Sequence, residues 1–322
     1  MSRSINSPIT QSSVTDFVES PIDDISTRTY LRRFRSLYFL ERFSRNPLAV
    51  AGVIIFMLIL LMAIFADHIA PTLNRQILFL PFADDGSPRL SPFPDRLFGY
   101  TGIFALRQSV FSLVVYGSRA TLFIALTSAI TTTIIGVVLG GISGYFGGII
   151  DNIIMRTTDI LLAFPLLPLI IALRIASQRE PTVTFFIVTF TVVGWTPMAR
   201  IVRATFLSLR EQEYIEAAKA TGIPWWRIIF RHLLPNTLSP IIVTMTLSIA
   251  TFIIAESTLD FLQLGITSAP TWGNTLALST EALLTGLWWW VFFPGLFIGL
   301  TTFSLTQIGE GLREALDIRG HV

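Results

Sequence analysis

Six long apolar stretches constrain this chain more than any other feature of its sequence. A helix that crosses a bilayer needs about 20 mostly apolar residues, because lipid offers the backbone no hydrogen-bond partners. Charged residues make up 14% of the 322 residues, whereas a typical soluble domain has about 25%. The sequence therefore predicts an all-α integral membrane protein with six transmembrane helices. We expect these helices at roughly 48–66, 120–142, 153–175, 183–203, 238–260 and 287–307.

The residue types that the chain lacks narrow its chemistry. It has no cysteine, so it has no disulfide, no thiolate metal site and no cysteine nucleophile. Its three histidines are far apart in sequence and show no local metal-ligand spacing. The only lysine, Lys219, follows Ala218, whereas a P-loop needs Gly-Lys followed by Ser or Thr. No cofactor is predicted, and any ATP used in a P-loop manner must be hydrolysed by another chain. A net charge of +2 is too small to indicate nucleic acid binding.

Arginine and lysine are unevenly distributed between the spans, which predicts an orientation. Fifteen lie in the N-terminal tail, the 200–237 segment and the C-terminus, and six lie in the segments predicted to face the opposite side of the membrane. Both termini and the 200–237 segment are therefore predicted to be cytoplasmic, with Trp288–Trp290 in the outer aromatic belt. The expected organisation is a cytoplasmic tail 1–46, a first transmembrane helix 47–66, an external segment 67–117, a five-helix core 118–308 and a cytoplasmic C-terminus 309–322. Asn46 and Pro47 are predicted to be the N-cap and the first residue of the first helix.

The second span carries small residues at every fourth position. They are Ser128, Thr132, Gly136, Gly140 and Gly144. Such stripes let helix backbones approach closely in lipid, where the hydrophobic effect no longer drives helices together. Tight packing against a neighbouring helix is the main interpretation, and a sliding surface used in gating is the alternative.

Hydroxyls also recur on the fourth span, where Thr182, Thr189 and Thr196 are seven residues apart. They are candidates for lining a polar pathway. The alternative is that they hydrogen-bond to their own helix or to a neighbour, as such hydroxyls commonly do.

Two pairs of ionisable residues fall within predicted spans. Arg156 and Asp159 are one turn apart at the inner end of the third span, and Glu256 and Asp260 are one turn apart near the outer end of the fifth. Ionisable groups inside spans are candidates for a substrate or gating role. All four are expected near a membrane edge, where snorkelling lowers the cost, so a solvated or paired structural role is the alternative.

The stretch EYIEAAKATGIPWWRIIFRHLLPN, 213–236, interrupts the apolar pattern. Strong helix formers lead up to Gly222, which suits the left-handed position that ends a helix, and Pro224 suits the first position of a second helix. That second helix is expected to bury an apolar face, and Pro235 to break the chain before the fifth span. Ala217 and Ala218 leave a patch of little bulk, which favours close approach of another protein.

One spacing resembles the EAA loop of ABC-importer permeases: Glu-Ala-Ala, then three residues, Gly, and further on Leu-Pro. The stretch RIIFRHLLPN is similar to the form of this loop in the dipeptide and oligopeptide subfamily. Further stretches resemble its C-type subunits, namely RNPLAVAGVIIFMLILLMAIFADHIAP, YGSRATLFIAL, DNIIMRTTDILLAFP, TWGNTL and GEGLREALDIR. Two stretches depart from the family pattern: FGYTGIFALRQSVFS at 98–112, and FLQLG, where Gln263 replaces a glycine.

The resemblance implies the type I ABC importer transmembrane fold and a cytoplasmic-membrane permease with no enzymatic activity of its own. It implies an EAA loop at 211–236 that docks in a groove on a cytoplasmic ATPase. The residues that it assigns to this ATPase coupling are Glu216, Ala217, Ala218, Gly222, Leu234 and Pro235. The partners that it implies are a second permease subunit, two ATP-binding subunits and an extracytoplasmic solute-binding protein. A stand-alone secondary transporter or channel, and a membrane scaffold, are the alternatives.

Overall fold

The computed structural model describes residues 41–70, 110–177, 181–266, 269–280 and 287–316. Within these ranges the regular secondary structure is helical. The helices are α1 Pro47–Ile64, α2 Ala66–Ile69, α3 Val110–Phe146, α4 Gly148–Ala163, α5 Leu166–Ser177, α6 Val183–Gly194, α7 Thr196–Arg210, α8 Glu213–Ala220, α9 Trp225–Ile228, a π-helical turn Ile229–Leu233, α10 Leu234–Phe261, α11 Trp272–Leu278 and α12 Trp288–Leu316. The N-terminal tail up to residue 40 and most of the predicted external segment lie outside the described residues.

Among the described residues, five helical runs are long and apolar enough to cross a membrane. They are Pro47–Ile64, Val110–Phe146, Val183–Arg210, Trp225–Phe261 and Trp288–Leu316. A sixth span is obtained if the bent pair α4 and α5 is counted as one crossing. The predicted all-α membrane fold is thus confirmed, with the third span as the irregular one.

The third span, predicted as one helix over 153–175, is two helices whose axes differ by 86°. Phe164 has an extended backbone with φ −92° and ψ 130°. This is the conformation favoured for a residue that precedes a proline, because the ring of Pro165 clashes with a helical predecessor. The carbonyl of Pro165 then accepts from the Leu169 amide, which starts α5.

The fourth span is also divided, since α6 ends and α7 begins around Trp195. Pro197 has no amide hydrogen to donate to the carbonyl of Val193, four residues earlier. The Thr196 hydroxyl donates to that carbonyl instead, at 3.3 Å. The hydroxyl therefore satisfies an acceptor that the proline leaves without its helical partner.

The small-residue stripe on α3 is buried and packs against α7, which confirms the packing interpretation. A Cβ added at Gly136 would lie 2.6 Å from the Cβ of Met198, and one added at Gly144 would lie 2.7 Å from the Cβ of Phe206. Real Cβ atoms do not approach so closely. The two helices are therefore in contact at a distance that only glycine permits at these positions.

The first span is fixed at both ends. Asn46 caps α1 by accepting from the amides of Leu48 and Ala49, each at 3.1 Å, with Pro47 at the start of the helix as predicted. At the other end Arg119 of α3 donates to the carbonyl of Ala63 at 2.7 Å and pairs with Asp67 at 2.9 Å. The Arg119 guanidinium, followed by the Tyr116 hydroxyl, holds the pKa of Asp67 below its usual value.

Candidate functional site

Helix α8 is an exposed helix that is attached to the bundle along one side. Ile215 and Ala218 are buried, whereas Glu216, Ala217 and Lys219 are exposed. The predicted patch of two adjacent alanines is therefore wrong in one respect, because successive helical residues point about 100° apart. Only Ala217 contributes its small side chain to the outer face, and Ala218 allows α8 to approach the bundle.

Gly222 ends the α8 segment in the left-handed conformation, with φ +76°, as predicted. The Ile223 amide donates to the carbonyl of Ala218 at 3.2 Å, and the Thr221 amide donates to that of Ala217 at 3.0 Å. These bonds satisfy carbonyls at the end of the helix. Pro224 is the N-cap of α9 and not its first helical residue, with φ −65° and ψ 145°, so its predicted position is shifted by one residue.

The predicted chain break at Pro235 is wrong, because α9, the π-helical turn and α10 form one continuous run of 37 residues, Trp225–Phe261. In the π-helical turn the Leu234 amide donates to the carbonyl of Ile229, five residues earlier. Pro235 falls in the first turn of α10, where a missing amide is tolerated. The half-buried Leu234 and the exposed Pro235 therefore belong to a spanning helix and not to a loop.

The 213–236 segment is held by its own hydrophobic cluster, which is separate from the main core. The buried members from the segment are Ile215, Ile228 and Leu233, and those from the adjoining helices are Met198, Val202, Phe206 and Ile241. Trp225 and Ile229 do not join these buried residues, because Trp225 is exposed and Ile229 is only half-buried. The cluster joins α8 and α9 to α7 and α10, so the segment is packed as part of the bundle.

Polar contacts fix the same end of the bundle. Arg203 of α7 binds Asp151 of α4 through two bonds of 2.5 and 2.6 Å, and the Ser143 hydroxyl also donates to Asp151. Arg210 donates to the carbonyls of Gly144 and Tyr145 at the end of α3. Sequence reasoning missed these contacts, since Asp151 and Arg203 are 52 residues apart.

The predicted charged pair on α4 is not brought together as a pair. Asp159 instead binds Arg200 of α7 at 2.5 Å, with both side chains about half exposed. Arg156 is exposed on α4. An exposed ion pair of this kind contributes little to stability. These contacts do not test a role for Arg156 and Asp159 in a pathway or gate, so that role stays a prediction.

The three threonines of the fourth span have different surroundings. Thr182 is the N-cap of α6 and accepts from the Phe185 amide at 3.2 Å, Thr189 is buried, and Thr196 is buried with its hydroxyl bonded to Val193. A hydroxyl contact that the sequence did not indicate joins Thr131 of α3 to Thr191 of α6 at 2.6 Å. A pathway role for the predicted three is not tested by these contacts.

Glu256 and Asp260 are buried, so of the solvated and paired structural alternatives the solvated one is wrong, and a substrate or gating role for them stays a prediction. Glu256 accepts from the Thr121 hydroxyl of α3 at 3.4 Å and from the Ser257 hydroxyl at 3.2 Å. These bonds give the buried carboxyl group polar partners inside the bundle.

Asp260 also organises the chain that follows α10. It accepts from the Thr271 hydroxyl and, at 3.1 Å, from the Ile266 amide. The indole of Trp272 donates to the carbonyl of Val114 at 2.8 Å, which ties α11 to α3. Sequence reasoning missed Thr121 and Thr271, because neither lies near the carboxyl pair in sequence.

These features define a polytopic α-helical membrane domain. Between two of its spans it presents the exposed helix α8 and the turn at Gly222, and α8 is packed against the bundle. The chain belongs to the family described as binding-protein-dependent transport system inner membrane component, whose model matches residues 136–319. A second model, the N-terminal TM domain of oligopeptide transport permease C, matches residues 31–81. The fold is thus the type I ABC importer transmembrane domain, in an inner-membrane protein, as the resemblance implied.

Similar proteins cover most of the chain. A dipeptide transport system permease protein DppC of Bacillus subtilis is 39% identical over 280 residues, which is 86% of this chain and 83% of the relative. An oligopeptide transport system permease protein OppC of the same organism is 39% identical, covering 86% and 87%. OppC of Escherichia coli is 37% identical, covering 86% and 89%.

Proposed function

We propose that this chain is the permease subunit of an ATP-driven importer for peptides or a similar small solute. The family membership supports a role in a binding-protein-dependent transport system. The relatives' names, which are those of dipeptide and oligopeptide permeases, support the class of solute. The chain itself carries no P-loop, which fits hydrolysis of ATP in a separate subunit.

The observation that carries the coupling proposal is the attachment of the 213–236 segment. The outer face of α8 presents Glu216 and Ala217 to solvent, while Ile215 on its inner face packs in the cluster shared with α7 and α10. An ATPase that grips the outer face therefore moves two spanning helices with it. Coupling follows when the ATPase binds this segment with different free energies in the two states of the transporter.

Each proposed coupling residue has a defined part. Glu216 pairs with a cation on the ATPase, and Ala217 leaves room for the ATPase surface. Ala218 sets how closely α8 packs on the bundle, and Gly222 ends the α8 segment. Leu234 and Pro235 begin α10. The remaining proposed partners are a second permease subunit, a second ATP-binding subunit and an extracytoplasmic binding protein. We propose that both termini and the 213–236 segment lie in the cytoplasm.

The test is the double variant Glu216→Ala with Gly222→Val, expressed with its partner subunits. We expect normal membrane insertion and loss of solute uptake, because the variant loses both the charge and the turn geometry. Glu41→Ala is the matched control, since Glu41 is an exposed carboxylate outside the segment proposed to dock. Normal uptake by the double variant, or equal loss in the control, would refute the docking assignment.

A secondary transporter is the rival, because the buried pair Glu256 and Asp260 is the kind of group that an ion-coupled carrier uses. The pair lies within the last two turns of α10, whereas such carriers bind ions near the bilayer midplane. Uptake that survives ATP depletion and collapses with the ion gradient would favour the rival. If the chain assembles with ATPase subunits but solute does not stimulate their hydrolysis of ATP, the membrane scaffold would be favoured instead.

A further inference from the structure

Helix α9 and the π-helical turn carry exposed aromatic and basic side chains side by side. Trp226 and Phe230 lie four residues apart, and so do Arg227 and Arg231. All four side chains are exposed, whereas Ile228 between them is buried in the cluster that holds the segment. Residues four apart on a helix lie on the same face. These four residues therefore form one outward-facing strip, which we call the aromatic–arginine strip.

The aromatic surface continues onto the end of α3. The ring centroids of Phe146 and Trp225 lie 5.5 Å apart, and both side chains are about half exposed. Within the strip, the guanidinium carbon of Arg227 lies 5.2 Å from the centroid of the Trp226 ring. A stacked guanidinium uses its face for the ring and keeps the donors in its plane for other partners. Arg227 can therefore bind an anionic oxygen beside the exposed rings.

The length of α3 indicates the depth of this surface in a bilayer. Near one end of α3, Arg119 donates to the carbonyl of Ala63, in the last turn of the apolar helix α1. From Arg119 to Phe146, α3 extends for about 40 Å. A bilayer with both headgroup layers is about 40–45 Å thick. Because the end of α1 marks one surface of the membrane, Phe146 and Trp225 lie at the level of the headgroups on the other.

Charge separates the strip from the outer face of α8. The first turn of α8 carries Glu213 and Glu216. The stretch 222–236, in contrast, contains two arginines and no aspartate or glutamate. A cation on the ATPase that pairs with Glu216 would repel these arginines. Tryptophan next to arginine is instead typical of elements that lie at a membrane surface. The strip therefore fits an anionic lipid surface better than the ATPase.

We propose that the aromatic–arginine strip, with Phe146 and Trp225, binds the headgroups of anionic phospholipids at the 213–236 end of the bundle. The rings lie among the headgroups, and the arginines bind lipid phosphates, with the net negative charge of the lipid giving the preference. This contact holds α9 at the membrane surface and leaves the outer face of α8 free for the ATPase. The lipid contact goes beyond the proposed function, since it requires neither solute nor ATP.

Because the chain has no cysteine, a single introduced cysteine can carry a fluorescent label. The reporter is Ile149→Cys, since Ile149 is 80% exposed and closely follows Phe146 in sequence. The complete labelled transporter is placed in phosphatidylcholine vesicles that contain a minor fraction of a quencher lipid. The quencher is phosphatidylglycerol or phosphatidylcholine with a nitroxide near the top of one acyl chain. We expect phosphatidylglycerol to associate at least about fivefold more strongly, the factor that one arginine near an anionic surface supplies.

The variant Arg227→Gln with Arg231→Gln should lose this preference, so that the two lipids quench the label equally. Arg45→Gln is the matched control, because Arg45 is an exposed arginine that lies outside the strip and pairs with Glu41 at 2.7 Å. It should keep the preference. A second reporter, Leu58→Cys on the exposed apolar face of α1, should show no preference between the two lipids.

Equal quenching by the two lipids at Ile149→Cys without further substitution would overturn the proposal. Equal loss of preference in the double variant and in Arg45→Gln would overturn it too, since the effect would then be one of overall charge. A third outcome also counts against it: quenching by neither lipid in the complete transporter, but by both when the ATPase subunits are omitted. The strip would in that case be covered by the ATPase.

Discussion

The turn at Gly222 permits a test in which backbone conformation is separated from side-chain contact. A Cβ added at Gly222 would meet no atom within 4 Å, and the residue has φ +76°. Gly299 of α12 has equally open surroundings but no positive φ. Gly222→Ala and Gly299→Ala therefore add the same methyl group to similar space, and only the first forces an L-residue into the left-handed region.

The magnitude follows from the cost of that region, which is about 1–2 kcal/mol for a residue with a Cβ. Such a cost lowers the ratio of formed to frayed turn by a factor of about 5–30. The apparent affinity for the ATPase falls by up to the same factor if only the formed turn binds. Asparagine tolerates the left-handed region and valine does not, so affinity should decrease in the order Gly, Asn, Ala, Val at position 222.

The assay is titration of purified ATPase subunits against the purified membrane subunits, with Gly222 variants and Gly299→Ala compared under one set of conditions. Gly299→Ala should bind as the unsubstituted protein does, since alanine suits a helix interior better than glycine does. If Asn is worse than Ala at position 222, side-chain bulk against the ATPase controls binding and the conformational reasoning is refuted. Equal impairment by Gly299→Ala would refute it as well.

Two further predictions concern the C-terminal end of α10. Gln263 has φ +60° and lies where the Leu264 amide donates to the carbonyl of Leu259, a turn that favours glycine, so Gln263→Gly should stabilise the protein by about 1 kcal/mol. The measurement is thermal unfolding followed by tryptophan fluorescence, with a rise in Tm of about 2–4 °C expected; a fall in Tm would contradict it. Glu256→Gln should leave Tm close to its original value, because an amide oxygen can still accept from the Thr121 hydroxyl, whereas Glu256→Leu should destabilise by about 1–3 kcal/mol by leaving buried hydroxyls without a partner. If the two Glu256 variants have the same Tm, hydrogen bonding by Glu256 does not stabilise the bundle in this way.

Local signals in the sequence predicted the parts of the fold that depend on a few neighbouring residues. Asn46 with Pro47 predicted the start of α1, and Gly222 predicted the left-handed end of the α8 segment. The spacing of Gly136 and Gly140 predicted the close helix contact on α3. These succeed because capping, positive φ and a helical repeat are decided within one or two turns.

The errors arise where the outcome depends on more than a short window of sequence. The apolar character of 153–175 suggested one helix, although Phe164-Pro165 carries a signal for the observed bend. Pro235 suggested a break, but the preceding π-helical turn allows the helix to continue. Glu256 accepts a hydrogen bond from Thr121, which is 135 residues away in sequence. No local pattern therefore reveals that Glu256 is buried.

The sequence predicted where the candidate site lies in the chain, but it did not predict which side chains face inwards. The 213–236 stretch stood out by its composition and by its resemblance to a known loop. The side of α8 that packs inwards was not fixed by that resemblance, and Ala218 was therefore assigned to the wrong face.

The uninterrupted run Trp225–Phe261 gives the molecule a single shaft of about 55 Å. Pro240 lies inside this run and has no amide hydrogen for the backbone ladder, so bending between Trp225 and Phe261 is expected to concentrate there. The π-helical turn sets the angular relation between the two ends of the run, because it holds one residue more than an α-helical turn. Removing that residue would rotate α9 by about 100° relative to Glu256 and Asp260.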